Sequence, residues 1–225
     1  MHSDAQILGT GTAPAFVKML AGVRPATYPY QHWMMESVLA PEACDALVEW
    51  EPGEQARAGD VGGRRETRNK MRVFVDKEIR AKDARLDRMA HLLDSTEIRQ
   101  AFADYCGAQL EGAALRLELC LDTDGFWLEP HTDIGAKKLT LLISLSENDH
   151  AGEWGTDLMT PEGESVARAP GAFNSGVLFI PSDKTWHGFV PRPIEGTRRT
   201  LIVNFVDQSW RAVHELAFGP ASGQH

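Results

Sequence analysis

The sequence predicts an α+β chain, mainly β, in which N-terminal helices pack on one sheet of an antiparallel sandwich or barrel. Three observations carry this reading. Apolar residues recur at helical spacing before residue 112, they alternate with polar residues at a period of two after it, and the alternating runs are short and separated by glycine, proline and aspartate turns. At 225 residues the chain suits a single domain spanning 1–225. Its parts are a mainly helical segment 1–112, a β core 113–208 and a C-terminal tail 209–225.

Taken in order, residues 13–20 carry Lys18 and read as a short amphipathic helix rather than a signal peptide. Pro41 suits the first turn of a helix whose inner face is Ala43, Leu47 and Trp50. Residues 51–70 are rich in glycine and charge and read as a mobile loop, a candidate lid, followed by a strand over 71–75. Leu86, Met89, Ala90 and Leu93 stand at i, i+3, i+4 and i+7, the stripe of a second helix. A third runs over 97–106, with Ile98, Phe102 and Tyr105 on one side and Gly107 as its stop.

Beyond residue 112 the period changes. Leu115, Leu117, Leu119 and Leu121 alternate with Arg116, Glu118, Cys120 and Asp122. Leu139, Leu141, Ile143 and Leu145 form the apolar set of a second strand, and Leu201, Val203 and Phe205 that of a last one. A further strand covers 177–180 and ends at Pro181.

Composition narrows the function classes. A net charge of -9 argues against a non-specific nucleic-acid binder, and the basic run 64–70 reads as a solvated loop. Cys44, Cys106 and Cys120 contain no C-x-x-C pair, so neither a disulfide framework nor a thiolate zinc site is expected. No stretch of some 18 apolar residues occurs. The expectation is a soluble cytoplasmic protein with no nucleic-acid or membrane partner, and its oligomeric state is not legible.

Chemistry concentrates in the β half. His131-Thr132-Asp133 follows Pro130 at a strand end, where residues i and i+2 point to the same side and can share one metal ion. The motif is weak alone, because His2-Ser3-Asp4 copies it at the terminus without any strand context. His187, in Thr185-Trp186-His187-Gly188-Phe189, lies 54 residues after Asp133 and follows a strand and a turn. A third ligand from there completes a face of two histidines and one carboxylate, which leaves open positions on Fe(II) for a bidentate cosubstrate and O2. Arg198 stands eleven residues after His187 in Gly196-Thr197-Arg198-Arg199-Thr200. Its planar fork suits the far carboxylate of a dicarboxylic cosubstrate. Arg199 shares the parity of the apolar set, so Arg198, with Thr200, Ile202 and Asn204, is the arginine expected to point inward.

The order H-x-D, distal His in W-H-G, then G-x-R-x-T resembles that of the Fe(II)/2-oxoglutarate-dependent oxygenases, and most of all their prolyl-4-hydroxylase-like branch. The resemblance covers roughly residues 113–208. It implies a double-stranded β-helix (jelly roll, cupin-like) as the catalytic core, His131, Asp133 and His187 as iron ligands, and Arg198 supported by Thr200 on the far carboxylate of 2-oxoglutarate. Two departures stand out. No tyrosine occupies the strand before H-x-D, where Asp122 lies, and Glu153-Trp154-Gly155-Thr156-Asp157 replaces the usual glycine pair. Retention of Asp133 argues against a halogenase of the superfamily.

Other polar residues are weighed against ordinary packing. Thr140 and Lys138 lie on the strand after H-x-D, and Thr140 is a candidate cosubstrate contact. Glu118 is a candidate for a cationic substrate group, against a structural ion pair with Arg116. Trp154 and Trp186 are candidate pocket walls, against simple core. His32, His91, His150, His214 and His225 have no partner at ligand spacing. The expected activity is hydroxylation of a C–H bond, in a small molecule or a protein side chain, with Fe(II), 2-oxoglutarate and O2 as cofactor and cosubstrates. Two alternatives are a cupin-type metal-dependent dioxygenase or isomerase without 2-oxoglutarate, and a non-catalytic β-sandwich binding module.

Overall fold

The structure, a computed structural model, describes residues 11–50 and 66–219. Residues 51–65 of the candidate lid, part of the basic run and the His2-Ser3-Asp4 copy lie outside the described residues.

Among the described residues the five α-helices are α1 (Ala13–Gly22), α2 (Pro41–Glu49), α3 (Lys77–Lys82), α4 (Ala84–Leu93) and α5 (Thr96–Cys106). Side-chain caps start four of them: Thr12, Asp76, Asp83 and Ser95 each accept from a backbone N–H of the first turn. Gly107 ends α5 at φ 74°, a left-handed position that glycine takes without steric cost. The expected stripes are buried on α4 (Leu86, Met89, Ala90, Leu93), and on α5 with one correction. Cys106 closes the inner stripe of Ile98, Ala101 and Phe102, while Tyr105 is 46% exposed at its edge. Four positions, not three, separate Phe102 from its next inward neighbour.

Among the described residues nine strands form one sheet, which in the chain-order numbering that follows runs β1-β7-β4-β9-β3-β8-β5-β6, with β2 on β3. They are β1 (His32–Glu36), β2 (Glu66–Phe74), β3 (Ala114–His131), β4 (Lys137–Ser144), β5 (Asp157–Met159), β6 (Ser165–Arg168), β7 (Ser175–Phe179), β8 (His187–Phe189) and β9 (Arg198–Val206). All pairings are antiparallel. The 18-residue β3 belongs to both halves of the sheet. Residues 114–122 pair with β9, whereas Leu128 and His131 pair with β8. Gly125, at φ 80°, lies between the two pairings, where the chain turns from one half to the other.

The period of two separates the layers. Leu115, Leu117 and Leu119 of β3, Leu139, Leu141 and Ile143 of β4, and Leu201, Val203 and Phe205 of β9 join α1, α2, α4 and α5 in one buried cluster. Phe102 bridges the layers, edge-on to Phe16 of α1 and to Phe205 of β9. The helices therefore back one face, and the alternate residues of the same strands turn to a cavity on the other. This is the jelly-roll arrangement expected.

Residues 66–70, expected as loop, form the first half of β2. β1, β5 and β6 were not expected. β1 lies in the helical part yet pairs with β7, so segment 1–112 contributes two strands to the sheet. The tail is not loose as far as residue 219: Ala217 N–H donates to Leu115 O at 2.9 Å, and Arg80 Nε donates to Ala217 O at 2.8 Å. Among the described residues no helix is long and apolar enough to cross a membrane.

Candidate metal centre

His131 is the last residue of β3 and pairs in register with His187, the first of β8. Asp133 follows two residues on, so strand pairing alone gathers the three side chains. Their ligand atoms all lie within 4.8 Å of one another. Each imidazole is oriented by its own backbone. His131 Nδ1 lies 2.7 Å from Glu129 O and His187 Nδ1 lies 2.9 Å from Thr185 O. A carbonyl can only accept, so Nδ1 carries the proton in both rings and Nε2 carries the lone pair a metal needs. The Phe179 ring, 4.9 Å from that of His187, walls one side.

Charge states match this arrangement. Burial holds His187 neutral, its pKa lowered to about 4, against the opposing pull of Asp133. Burial alone would push the Asp133 carboxyl up. The nearby charge of Lys137, with hydrogen bonds from Lys137 and Thr140, brings it down to about 2. Lys137 Nζ donates to Asp133 Oδ1 at 2.6 Å and Thr140 Oγ1 donates to Oδ2 at 2.6 Å. Asn204 Nδ2 in turn donates to Thr140 Oγ1 at 2.9 Å. Two imidazoles held by their Nδ1 bonds and one fixed carboxylate form a facial donor set for a divalent transition metal with open positions left over, and the residues present fit Fe(II).

Beside these donors lies a cavity of about 120 Å³. Arg198, Thr200 and Ile202 of β9 line it opposite Glu118, Cys120 and Asp122 of β3. The parity argument thus places the two arginines correctly. Arg199 turns away and donates to Leu47 O at 2.7 Å. Arg198 is buried, donating from Nε to Trp154 O at 2.7 Å, from Nη1 to Asp122 Oδ2 at 2.5 Å and from Nη2 to Thr156 Oγ1 at 3.3 Å.

For three sequence candidates the structure favours the structural alternative over a cosubstrate or substrate contact. The hydroxyl of Thr140 lies on Asp133, where it braces a candidate ligand. Glu118 lines the cavity, but Arg72 holds Oε1 at 2.6 Å and Arg116 holds Oε2 at 2.7 Å, so it is an ion-pair centre. Trp154 does not line the cavity. Its indole donates to Pro193 O at 3.0 Å within a cluster with Phe126, Phe189 and Ile194, at the end of the short helical turn 151–154. Lys137 and Arg72 were missed as parts of the site, whereas parity already puts Asn204 and Asp122 on the inward faces without giving them a role. Nothing local marks Arg72, which reaches Glu118 across 46 positions of sequence.

No protein-family model matches the sequence, and no curated protein matches it. Solved structures do. A prolyl hydroxylase from Trichoplax adhaerens, in complex with a hypoxia-inducible-factor oxygen-degradation-domain peptide, superposes with TM-score 0.62 at 12% identity over 87% of this chain and 89% of that one. A prolyl-4-hydroxylase from Pseudomonas putida gives TM-score 0.59 at 15% identity, covering 87% and 99%. HygX from Streptomyces hygroscopicus, with nickel, 2-oxoglutarate and hygromycin B bound, gives 0.53 at 14% identity, covering 84% and 92%. With its helices on one face of an antiparallel jelly roll and its three donors where two strands pair, the chain has the fold of the 2-oxoglutarate-dependent oxygenases.

Proposed function

We propose that this chain is an Fe(II)- and 2-oxoglutarate-dependent oxygenase that hydroxylates a C–H bond of a small molecule or a protein side chain, releasing succinate and CO2. The observation that carries the proposal is a facial His-Asp-His donor set opening onto a small cavity that contains a buried arginine. His131, Asp133 and His187 hold the iron, and Arg198 with Thr200 binds the far carboxylate of 2-oxoglutarate. When bound, iron supplies the activation of O2. The chain's own residues orient the ligands, exclude water and keep the charges in place. Lys137 and Thr140 hold Asp133, so Thr140 serves the metal carboxylate rather than the cosubstrate. Glu118 and Trp154 are not proposed as substrate contacts.

The Asp122–Arg198 contact favours one rival, a metal-dependent dioxygenase or isomerase of this fold without 2-oxoglutarate, because it gives the arginine another partner. One experiment separates the two. Arg198→Ala should raise the 2-oxoglutarate requirement for succinate release and be rescued at higher concentration. Turnover indifferent to 2-oxoglutarate in the wild type sinks the proposal. His131→Ala and Asp133→Ala should each abolish iron-dependent succinate formation while the fold, read by circular dichroism, persists.

A further inference from the structure

The environment of Arg198 is unusual for a group that is to meet an anion. Of its five N–H donors, three are committed to Trp154 O, Asp122 Oδ2 and Thr156 Oγ1, and the rings of Phe189 and Phe126 lie 4.7 and 5.5 Å from the guanidinium carbon. The group is rigidly placed, with two N–H bonds uncommitted among the described residues. Its charge is not left over. Asp122 faces it in register across the β3–β9 pair and is 1% exposed, so a buried carboxylate stands beside the place a cosubstrate's far carboxylate must occupy. Like charges brought together away from water oppose each other strongly. A neutral acceptor meets the same two N–H donors without that opposition.

Resting on the 2-oxo-acid reading above, we propose that Asp122 sets which 2-oxo acid the cavity takes. By offsetting Arg198 it weakens the hold on a far carboxylate and brings an uncharged, hydrogen-bond-accepting far end onto near-equal terms.

The test is an anaerobic titration of the Fe(II)-loaded full chain, following charge-transfer absorbance. It compares 2-oxoglutarate with 2,5-dioxohexanoate, in which a methyl ketone replaces the far carboxylate. In the wild type the two dissociation constants should agree within about tenfold, a difference of one partly screened charge contact. Asp122→Asn keeps an acceptor for Arg198 while removing the charge. It should tighten 2-oxoglutarate about tenfold or more and leave the ketone within about threefold. A wild-type preference for 2-oxoglutarate above about a hundredfold overturns the proposal without any variant. So does an Asp122→Asn protein that folds and binds 2-oxoglutarate no more tightly. Absorbance that fails to appear with either acid in both proteins removes the inference together with the oxygenase reading, whereas a wild-type band with the wrong selectivity removes the inference alone.

Discussion

Replacing Thr140 with valine removes one oxygen and almost no volume, and the structure states what that oxygen does. Thr140 Oγ1 donates to Asp133 Oδ2 at 2.6 Å and accepts from Asn204 Nδ2 at 2.9 Å, so its hydrogen has one direction to point. A hydrogen bond to a buried carboxylate contributes about 1.5–3 kcal/mol. The Lys137 contact on Oδ1 survives the change, so Asp133 keeps its charge but loses the contact that fixes its rotation. Groups that brace metal ligands typically account for about 10–100-fold in metal affinity. Thr140→Val should therefore weaken Fe(II) binding by about that factor, measured by anaerobic competition with a chromophoric chelator. Asn204 retains Leu139 O at 3.3 Å, which limits the loss of folding stability to about 1–2 kcal/mol. An affinity within about twofold of wild type, in a folded variant, refutes the argument that Thr140 braces the metal carboxylate.

Further expectations follow from the same contacts. His187 titrates near 4 when buried, below its ordinary 6.5, so between these values the unfolded chain takes up a proton that the folded chain refuses. Metal-free protein should lose about 3 kcal/mol as pH falls from 7 to 4, with Asp133 adding to the loss only below about pH 4, and denaturant titrations at pH 7 and 4.5 read it. A flat profile across that range contradicts the buried neutral ring. Glu118→Gln takes the shared carboxylate from half-buried Arg72 and from buried Arg116, which keeps Glu215 at 2.6 Å, and should cost about 2–3 kcal/mol of stability by urea unfolding, where a loss below about 1 kcal/mol would show the cluster to be solvent-screened. In Gly188→Ala the new Cβ would lie 2.7 Å from Leu128 O and 3.2 Å from Glu129 O. The β3–β8 pair must open there, costing about 1–3 kcal/mol and lowering metal affinity with it, since His187 is the next residue.

Legibility in the sequence followed how local each signal was. Alternation on β3, β4 and β9 comes from one face against helices and the other against a cavity, so the leucine runs disclosed both the strands and the inward direction of Arg198. Helix stripes and the Gly107 stop were equally local. β5 and β6 were not legible, being three and four residues long, with β6 largely solvent-facing. β1 was hidden because both its faces are mostly covered, which erases alternation. Within the site, the three donors and the Arg116 ion pair of Glu118 could be read from order and spacing, yet the use of Thr140 and the second partner of Glu118 could not. Those depend on which charged or hydroxyl groups arrive from other strands: Lys137 beside Asp133, and Arg72 from β2 beside Glu118. Trp154 shows the same limit, because the Pro193 carbonyl and the Phe126, Phe189 and Ile194 side chains that hold its ring arrive from distant parts of the chain.

The central claim is that the three donors bind iron in a form that accepts a 2-oxo acid. Under anaerobic conditions the full chain should bind one equivalent of Fe(II), and adding 2-oxoglutarate should then raise a visible charge-transfer band that His131→Ala and Asp133→Ala lack. Fe(II) binding with no band at any 2-oxoglutarate concentration, or a band that survives both substitutions, would contradict it.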